Sequence, residues 1–308
     1  MKKFVIIIVF TIALVLAILT RLYKLGEAPA GLYIDEAGQG YNAYSILKTG
    51  KDEFGKLYPF VFRSFIDFKT PVYIYLIVPL IPIFDLTSFT VRLPSFIFSI
   101  LTFPIFYLLL RKISPTKISI PLSLLSVILL AISPWHVVFG RTNFECNVAL
   151  FFFLSGVYFF YKGLEKPGWL LLSAAMFAIA IPSYHTQRIV TPAILLIFFF
   201  RYKDRLFKKG TRRFILPAVI IGILISIPTV SVMFTPGFLA RAAGLNIFSH
   251  SRQMPAGFIE DYQGPLEQVV NGSWFISTWE FASLYASYFS PRNMFILGDS
   301  GFRDSYPE

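Results

Sequence analysis

Apolar residues along this chain gather in long runs separated by short charged loops, the pattern of a protein that enters a bilayer repeatedly. A helix needs about 20 mainly apolar residues to cross a hydrocarbon core of roughly 30 Å. Seven segments approach that length, at 4–20, 93–110, 118–138, 147–161, 168–183, 189–200 and 214–234, and each is predicted to be a transmembrane helix. The first follows Met-Lys-Lys, yet its apolar stretch is too long for a signal peptide and the Ala28-Pro29-Ala30 triplet lies too far downstream, so it reads as an uncleaved helix. Two long stretches lie outside these spans, 21–92 and 235–308. Within the first, Pro71 to Phe84 is a 14-residue apolar run broken by Pro79 and Pro82. It is too short to cross and is expected to lie in the interface, with Tyr73 and Tyr75 at headgroup level.

Charge orients the spans. With the amino terminus in the cytoplasm, the pieces 1–3, 111–117, 162–167 and 201–213 are cytoplasmic and hold fourteen Lys and Arg against Glu165 and Asp204. The other face holds fourteen basic residues against fifteen acidic ones, so the net +11 of the chain sits on one side, as the positive-inside rule requires. That topology signal, with affinity for anionic lipid headgroups, accounts for the basic surplus without a nucleic-acid partner. Composition agrees: 56% hydrophobic and only 15% charged excludes an ordinary soluble enzyme. One cysteine, Cys146, permits no internal disulfide, and no Cys/His spacing suggests a metal, so none is assigned. Without a Walker loop or a Rossmann fingerprint, neither ATP nor a dinucleotide cofactor is indicated. The expected architecture is an all-α polytopic membrane protein: a transmembrane module over 1–234, whose first external loop is 21–92, and an external loop region over 235–308.

Ionisable residues near the external helix ends are the candidates for chemistry, because charge at membrane depth is costly. Asp35 and Glu36 form an acidic pair soon after the first helix, where a carboxylate is able to act as a base but is ordinarily just solvated. Lys69, before Thr70-Pro71, places an ammonium where it can meet a lipid phosphate, although snorkelling alone explains a lysine there. The turn from Ser133 to Glu145 carries Trp135, His136, Arg141 and Glu145, a set suited to binding an anion together with hydroxyls. An Arg141 to Glu145 ion pair is the structural alternative. Ser183 to Arg188 brings Tyr184, His185 and Arg188 to the same face, and Arg92 stands at the start of the second span as a fifth candidate or a mere anchor.

The order of these clusters resembles the GT-C superfamily of polytopic glycosyltransferases, particularly bacterial relatives of protein O-mannosyltransferases and of lipid A aminoarabinose transferase. The resemblance rests on Asp35-Glu36, on Lys69-Thr-Pro-Val-Tyr-Ile-Tyr-Leu76, on Val91-Arg92-Leu-Pro-Ser95 and on Ser133-Pro-Trp-His136 through Arg141 and Glu145. It differs in having Glu145 where many relatives carry aspartate. The resemblance implies a polyprenyl-phosphate sugar as donor, a protein or glycolipid acceptor, transfer outside the cytoplasmic membrane, and a first-loop acid in catalysis. It also implies further helices after the second long loop, so Gly298 to Ser305, with Arg303, is expected to precede another span. Polyprenyl phosphate is already a good leaving group, so the reaction needs only a base for the acceptor hydroxyl and cations for the phosphate. Asp35 is the expected general base. Glu36 and Glu145 are expected to position hydroxyls, Lys69, Arg141 and Arg188 to meet phosphate, and His136, Tyr184, Arg92 and Arg303 to line the substrate site. A transporter or flippase of lipid-linked sugars, or a surface polysaccharide ligase, would share the donor.

Overall fold

The computed structural model describes residues 3–64, 67–114, 119–233, 273–287 and 289–291. Helices occupy all seven apolar segments. α1 (Lys3–Leu22), α5 (Ser88–Ile113), α8 (Glu145–Gly163) and the Lys209–Thr229 part of α11 (Lys209–Met233) are long and apolar enough to cross a membrane. α6 (Ser119–Ile132) and α7 (Pro134–Arg141) reach that length only together and bend by 58° at the break. The break follows from Pro134, which holds Ser133 in extended backbone and ends α6. By length and composition the described residues therefore supply four spans, or five with the bent pair, where seven were expected. α9 (Trp169–Ser183) has only 15 residues, and the apolar part of α10 (Gln187–Leu206) ends at Arg201.

Between α1 and α5 the first long loop is folded. α2 (Ile34–Thr49) is followed by an antiparallel hairpin, β1 (Phe62–Ser64) and β2 (Asp67–Lys69), in a register that pairs Phe62 with Lys69. The hairpin is a local exception to an otherwise all-helical chain. Pro79 and Pro82 divide the next run into α3 (Pro71–Ile77), a 3-10 turn (Val78–Leu80) and α4 (Ile81–Phe84). This run is part of a core: Tyr73, Ile74 and Ile77 are fully buried with Ala43 and Ile46 of α2, Phe62 of β1, Val91 of α5 and Val148 of α8. Tyr73 is held by the protein itself. Its hydroxyl donates to the Val91 carbonyl and accepts from Ser95 N–H, both at 3.1 Å, the two groups an unbroken helix would pair with each other. Pro94 loosens α5 at that turn and the phenol fills the gap.

Below the cap, helices pack through small residues, which allow close approach where lipid offers no hydrophobic drive. Ala13 and Ala17 of α1 meet Phe103 of α5 and Val127 and Ala131 of α6. α8 packs on α9 at Gly156, whose carbonyl accepts from the Ser173 hydroxyl at 2.8 Å. Phe160, Leu170, Phe177, Phe198 and Leu206 complete the contact with α9 and α10. The chain divides into two compact units, 1–233 and 234–308; in the second, the helix described is α12 (Ser273–Ser287).

Candidate active site

Asp35 and Glu36 are adjacent in sequence but occupy the first turn of α2, where successive side chains point about 100° apart. Glu36 turns inward and is buried, 4% exposed, against a fully buried Arg92. The Arg92 guanidinium donates through Nε to Glu36 Oε1 and through Nη2 to Glu36 Oε2, each at 3.0 Å. Its other three N–H groups meet the carbonyls of Leu25 (3.2 Å), Pro29 (3.0 Å) and Gly31 (2.5 Å). Gly31, at φ +73°, gives the turn a left-handed residue that aims this carbonyl inward. All five guanidinium donors are engaged. Glu36 additionally accepts from the backbone N–H of Tyr33 at 3.0 Å and of Asn143 at 2.9 Å. One buried ion pair therefore ties the α1–α2 turn, the start of α2, α5 and the α7–α8 turn together. In this geometry the five donors of Arg92 and the four acceptor positions of Glu36 are all engaged within the fold.

His136 is also withdrawn from the surface. It is buried in α7, packed edge-on against Phe103, and its Nδ1 lies 2.8 Å from Nη2 of the fully buried Arg21. A guanidinium can only donate, so Nδ1 is an acceptor, the ring is neutral and its proton is on Nε2. Arg21 also donates to the carbonyls of Leu130 and Ala131 at 3.2 Å, closing the C-terminal end of α6. Arg141 does the same for α1, with Nη1 at 2.8 Å from the Thr20 carbonyl and Nη2 at 3.0 Å from that of Ala28. Arg141 thus holds the end of α1, and His136 packs against the arginine that holds the end of α6.

Asp35 faces outward. Its carboxylate meets Lys69 Nζ at 2.9 Å, with side-chain exposures of 40% for Asp35 and 15% for Lys69. Lys69 is the last residue of β2, so the hairpin register sets its reach. The next residue, Thr70, is fully buried and donates to the Ser183 carbonyl at 3.1 Å, which fixes this strap to the end of α9. Half-buried Tyr184 and buried Arg188, at the start of α10, follow directly from that anchor. Gln39 lies one turn beyond Asp35 on the same face of α2 and donates through Nε2 to Glu145 Oε1 at 2.8 Å. All four sequence clusters are thus linked around α2 by Lys69, Thr70 and Gln39. Gln39 was not singled out in the sequence; the i, i+4 spacing from Asp35 was its available signal. Asn143 takes part through its backbone N–H, for which a sequence carries no sign. Arg303 lies outside the described residues.

Beside the strap, a mainly apolar cavity of about 380 Å³ is lined by Pro71, Val72, Tyr75, Phe152, Ile179 and Pro182, among others. Among the described residues no three His, Cys, Asp or Glu side chains are grouped to hold a metal ion.

This helical arrangement shares the fold of solved GT-C polytopic membrane transferases. ArnT from Cupriavidus metallidurans in the apo state is 14% identical with a TM-score of 0.53, the match covering 94% of this chain and 52% of that one. The same enzyme bound to undecaprenyl phosphate gives 15% and 0.55, covering 96% and 53%. The Archaeoglobus fulgidus oligosaccharyltransferase in its apo form gives 15% and 0.55, covering 100% and 40%. The chain spans about half the length of these ArnT structures or less of the oligosaccharyltransferase. No curated protein sequence matches it. The profile of the dolichyl-phosphate-mannose-protein mannosyltransferase family matches residues 68–232, more than half of the chain, and the protein belongs to that family. The matched stretch includes Lys69, Arg92, His136, Arg141, Glu145, Tyr184 and Arg188, while Asp35 and Glu36 precede it and join it through Lys69 and Arg92.

Proposed function

We propose that this membrane glycosyltransferase moves a sugar from a polyprenyl-phosphate donor to an acceptor hydroxyl on the extracytoplasmic face, with Asp35 as general base. The observation that carries the reading is the Asp35–Lys69 pair, a base and a cation 2.9 Å apart on a turn made rigid by the Glu36–Arg92 knot beneath it. The acceptor oxygen attacks the anomeric carbon, its proton passes to an Asp35 carboxylate oxygen, and the bond to the phosphate oxygen breaks on the opposite side. One in-line displacement inverts the anomeric configuration. Lys69 neutralises the departing phosphate, assisted by Arg188. Glu145, oriented by Gln39, and Tyr184 hold hydroxyls, and the apolar cavity beside the strap receives the first prenyl units. Placing the amino terminus and the basic loops in the cytoplasm puts this site on the far side, consistent with the charge asymmetry.

The test uses the full gene product in proteoliposomes with a labelled polyprenyl-phosphate hexose and a crude acceptor fraction. Acceptor-dependent release of polyprenyl phosphate is expected from wild type and is expected to fall about 10²–10⁴-fold in Asp35→Asn, the usual range for loss of a general base. Equal release by both proteins would remove Asp35 as base, and a product of retained configuration would rule out the single displacement. Donor binding without release, over several sugars and acceptors, would favour a carrier or flippase.

A further inference from the structure

The far ends of the same helices carry a second charged recess. Arg92 and Arg111 are 19 residues apart on α5, a rise of roughly 28 Å and close to one hydrocarbon thickness. The recess lies at the Arg111 end, between α5 and the α8–α9 turn, with a volume of about 370 Å³. Arg111, Lys112, Lys162 and Lys166 line it, and Glu165 is the one carboxylate among its lining residues. Glu165 pairs with Lys112, leaving a surplus of three positive charges.

Aromatic rings, rather than carboxylates, lie against two of the remaining cations, Lys162 and Arg111. Lys162 Nζ is 3.7 Å from the centre of the Trp169 ring and 5.5 Å from that of Tyr158, and Trp169 is itself stacked on Phe159 at 5.3 Å and 5°. The Arg111 guanidinium lies 6.0 Å over Tyr107. A carboxylate partner would consume hydrogen-bond donors and cancel charge; a ring face orients the cation and does neither. The recess shares Lys166 and Trp169 with an apolar hollow of about 580 Å³ that continues along α9 past Leu171, Leu172 and Ala175. Cationic at the membrane surface and apolar toward its interior, the combined shape suits an amphiphile better than a soluble anion.

We infer that this recess binds the anionic headgroup of a membrane phospholipid, in the leaflet opposite the Asp35 site, with an acyl chain along α9. The inference does not rest on the transferase reading and stands or fails separately from it. The purified chain in nanodiscs of mixed phosphatidylcholine and phosphatidylglycerol is examined by native mass spectrometry for retained lipid. Wild type is expected to retain phosphatidylglycerol selectively, and Lys162→Gln with Lys166→Gln to lower that retention about tenfold. A control pair, Lys203→Gln with Lys208→Gln, removes the same charge from the end of α10 and the turn after it and is expected to change it less than twofold. Glu165→Gln, which deletes the recess carboxylate, is expected to raise retention, a gain that misfolding does not mimic. Equal loss in both lysine pairs would reduce the effect to diffuse attraction and overturn the site. So would an absence of lipid preference in wild type, displacement of the lipid by inorganic phosphate, or loss of retention in Glu165→Gln.

Discussion

Replacing Arg92 by methionine keeps most of the side-chain volume and removes five hydrogen bonds at once. Glu36 loses two of its four donors while staying buried, and the carbonyls of Leu25, Pro29 and Gly31 each lose a partner. Breaking a buried ion pair from one side costs about 3–5 kcal/mol. Each orphaned carbonyl that water does not reach adds about 1 kcal/mol, so an expected total is about 5 kcal/mol. For a unit the size of residues 1–233, at about 2–4 °C per kcal/mol, that lowers Tm by about 10–20 °C. The contrast is Lys69→Met: its pair with Asp35 is partly solvated and contributes about 1 kcal/mol, so Tm is expected to move by only a few degrees while transfer is lost. Tryptophan-fluorescence melts of the two variants in one detergent, with hydrogen exchange over residues 25–36, make the comparison. Adding Glu36→Gln to Arg92→Met removes the unpaired buried charge and is expected to recover part of the loss, which a double-mutant cycle measures. An Arg92→Met protein within about 1 kcal/mol of wild type, or a Lys69→Met protein that falls as far as Arg92→Met, would refute this assignment of scaffold and site.

Two further predictions concern the α8–α9 contact and the second carboxylate. A Cβ at Gly156 would stand 2.8 Å from the Phe177 ring, so Gly156→Ala is expected to destabilise by about 1–3 kcal/mol. Gly168→Ala, whose nearest contact is 4.0 Å away, is expected to be close to neutral in the same melt. Gln39→Met removes the amide that orients Glu145; it is expected to lower kcat/KM about tenfold at an almost unchanged Tm, and unchanged kinetics would detach Glu145 from the site.

The span pattern, the family resemblance and the clustering of Asp35, Lys69, Glu145 and Tyr184–Arg188 were legible in the sequence because each depends on local order: apolar runs, charge bias, short motifs. The hairpin register and the burial of Tyr73 were not. Tyr73 followed the statistical habit of tyrosine in an apolar run beside a membrane. Its burial depends on a gap opened in α5 by Pro94, 21 positions later, which a single phenol happens to fit. Arg21, the residue just past the first apolar stretch, drew no attention as a site residue, yet it closes the end of α6 by contacts more than 100 residues away. One part of the shortfall in membrane-crossing helices has a local cause as well, since Pro134 divides a run that composition alone shows as continuous; α9 and α10 fall short in apolar length instead.

Arg92, His136 and Glu36 were flagged because charge and imidazole near a membrane need explaining, and that reasoning holds; what it does not supply is a distinction between two explanations. A buried guanidinium that satisfies loop carbonyls and a guanidinium that awaits phosphate require the same residue at the same depth. Saturation separates them. Arg92 has five acceptors for five donors, and Glu36 four donors for four acceptor sites, so both are spent on the fold. Asp35, one residue earlier and a third of a turn away, keeps a partly exposed carboxylate against an ammonium that the strap carries. The acidic pair therefore divides its work through helical geometry alone: Glu36 fixes the first turn of α2 to the bundle, and that fixed turn is what holds Asp35, the proposed base, against Lys69.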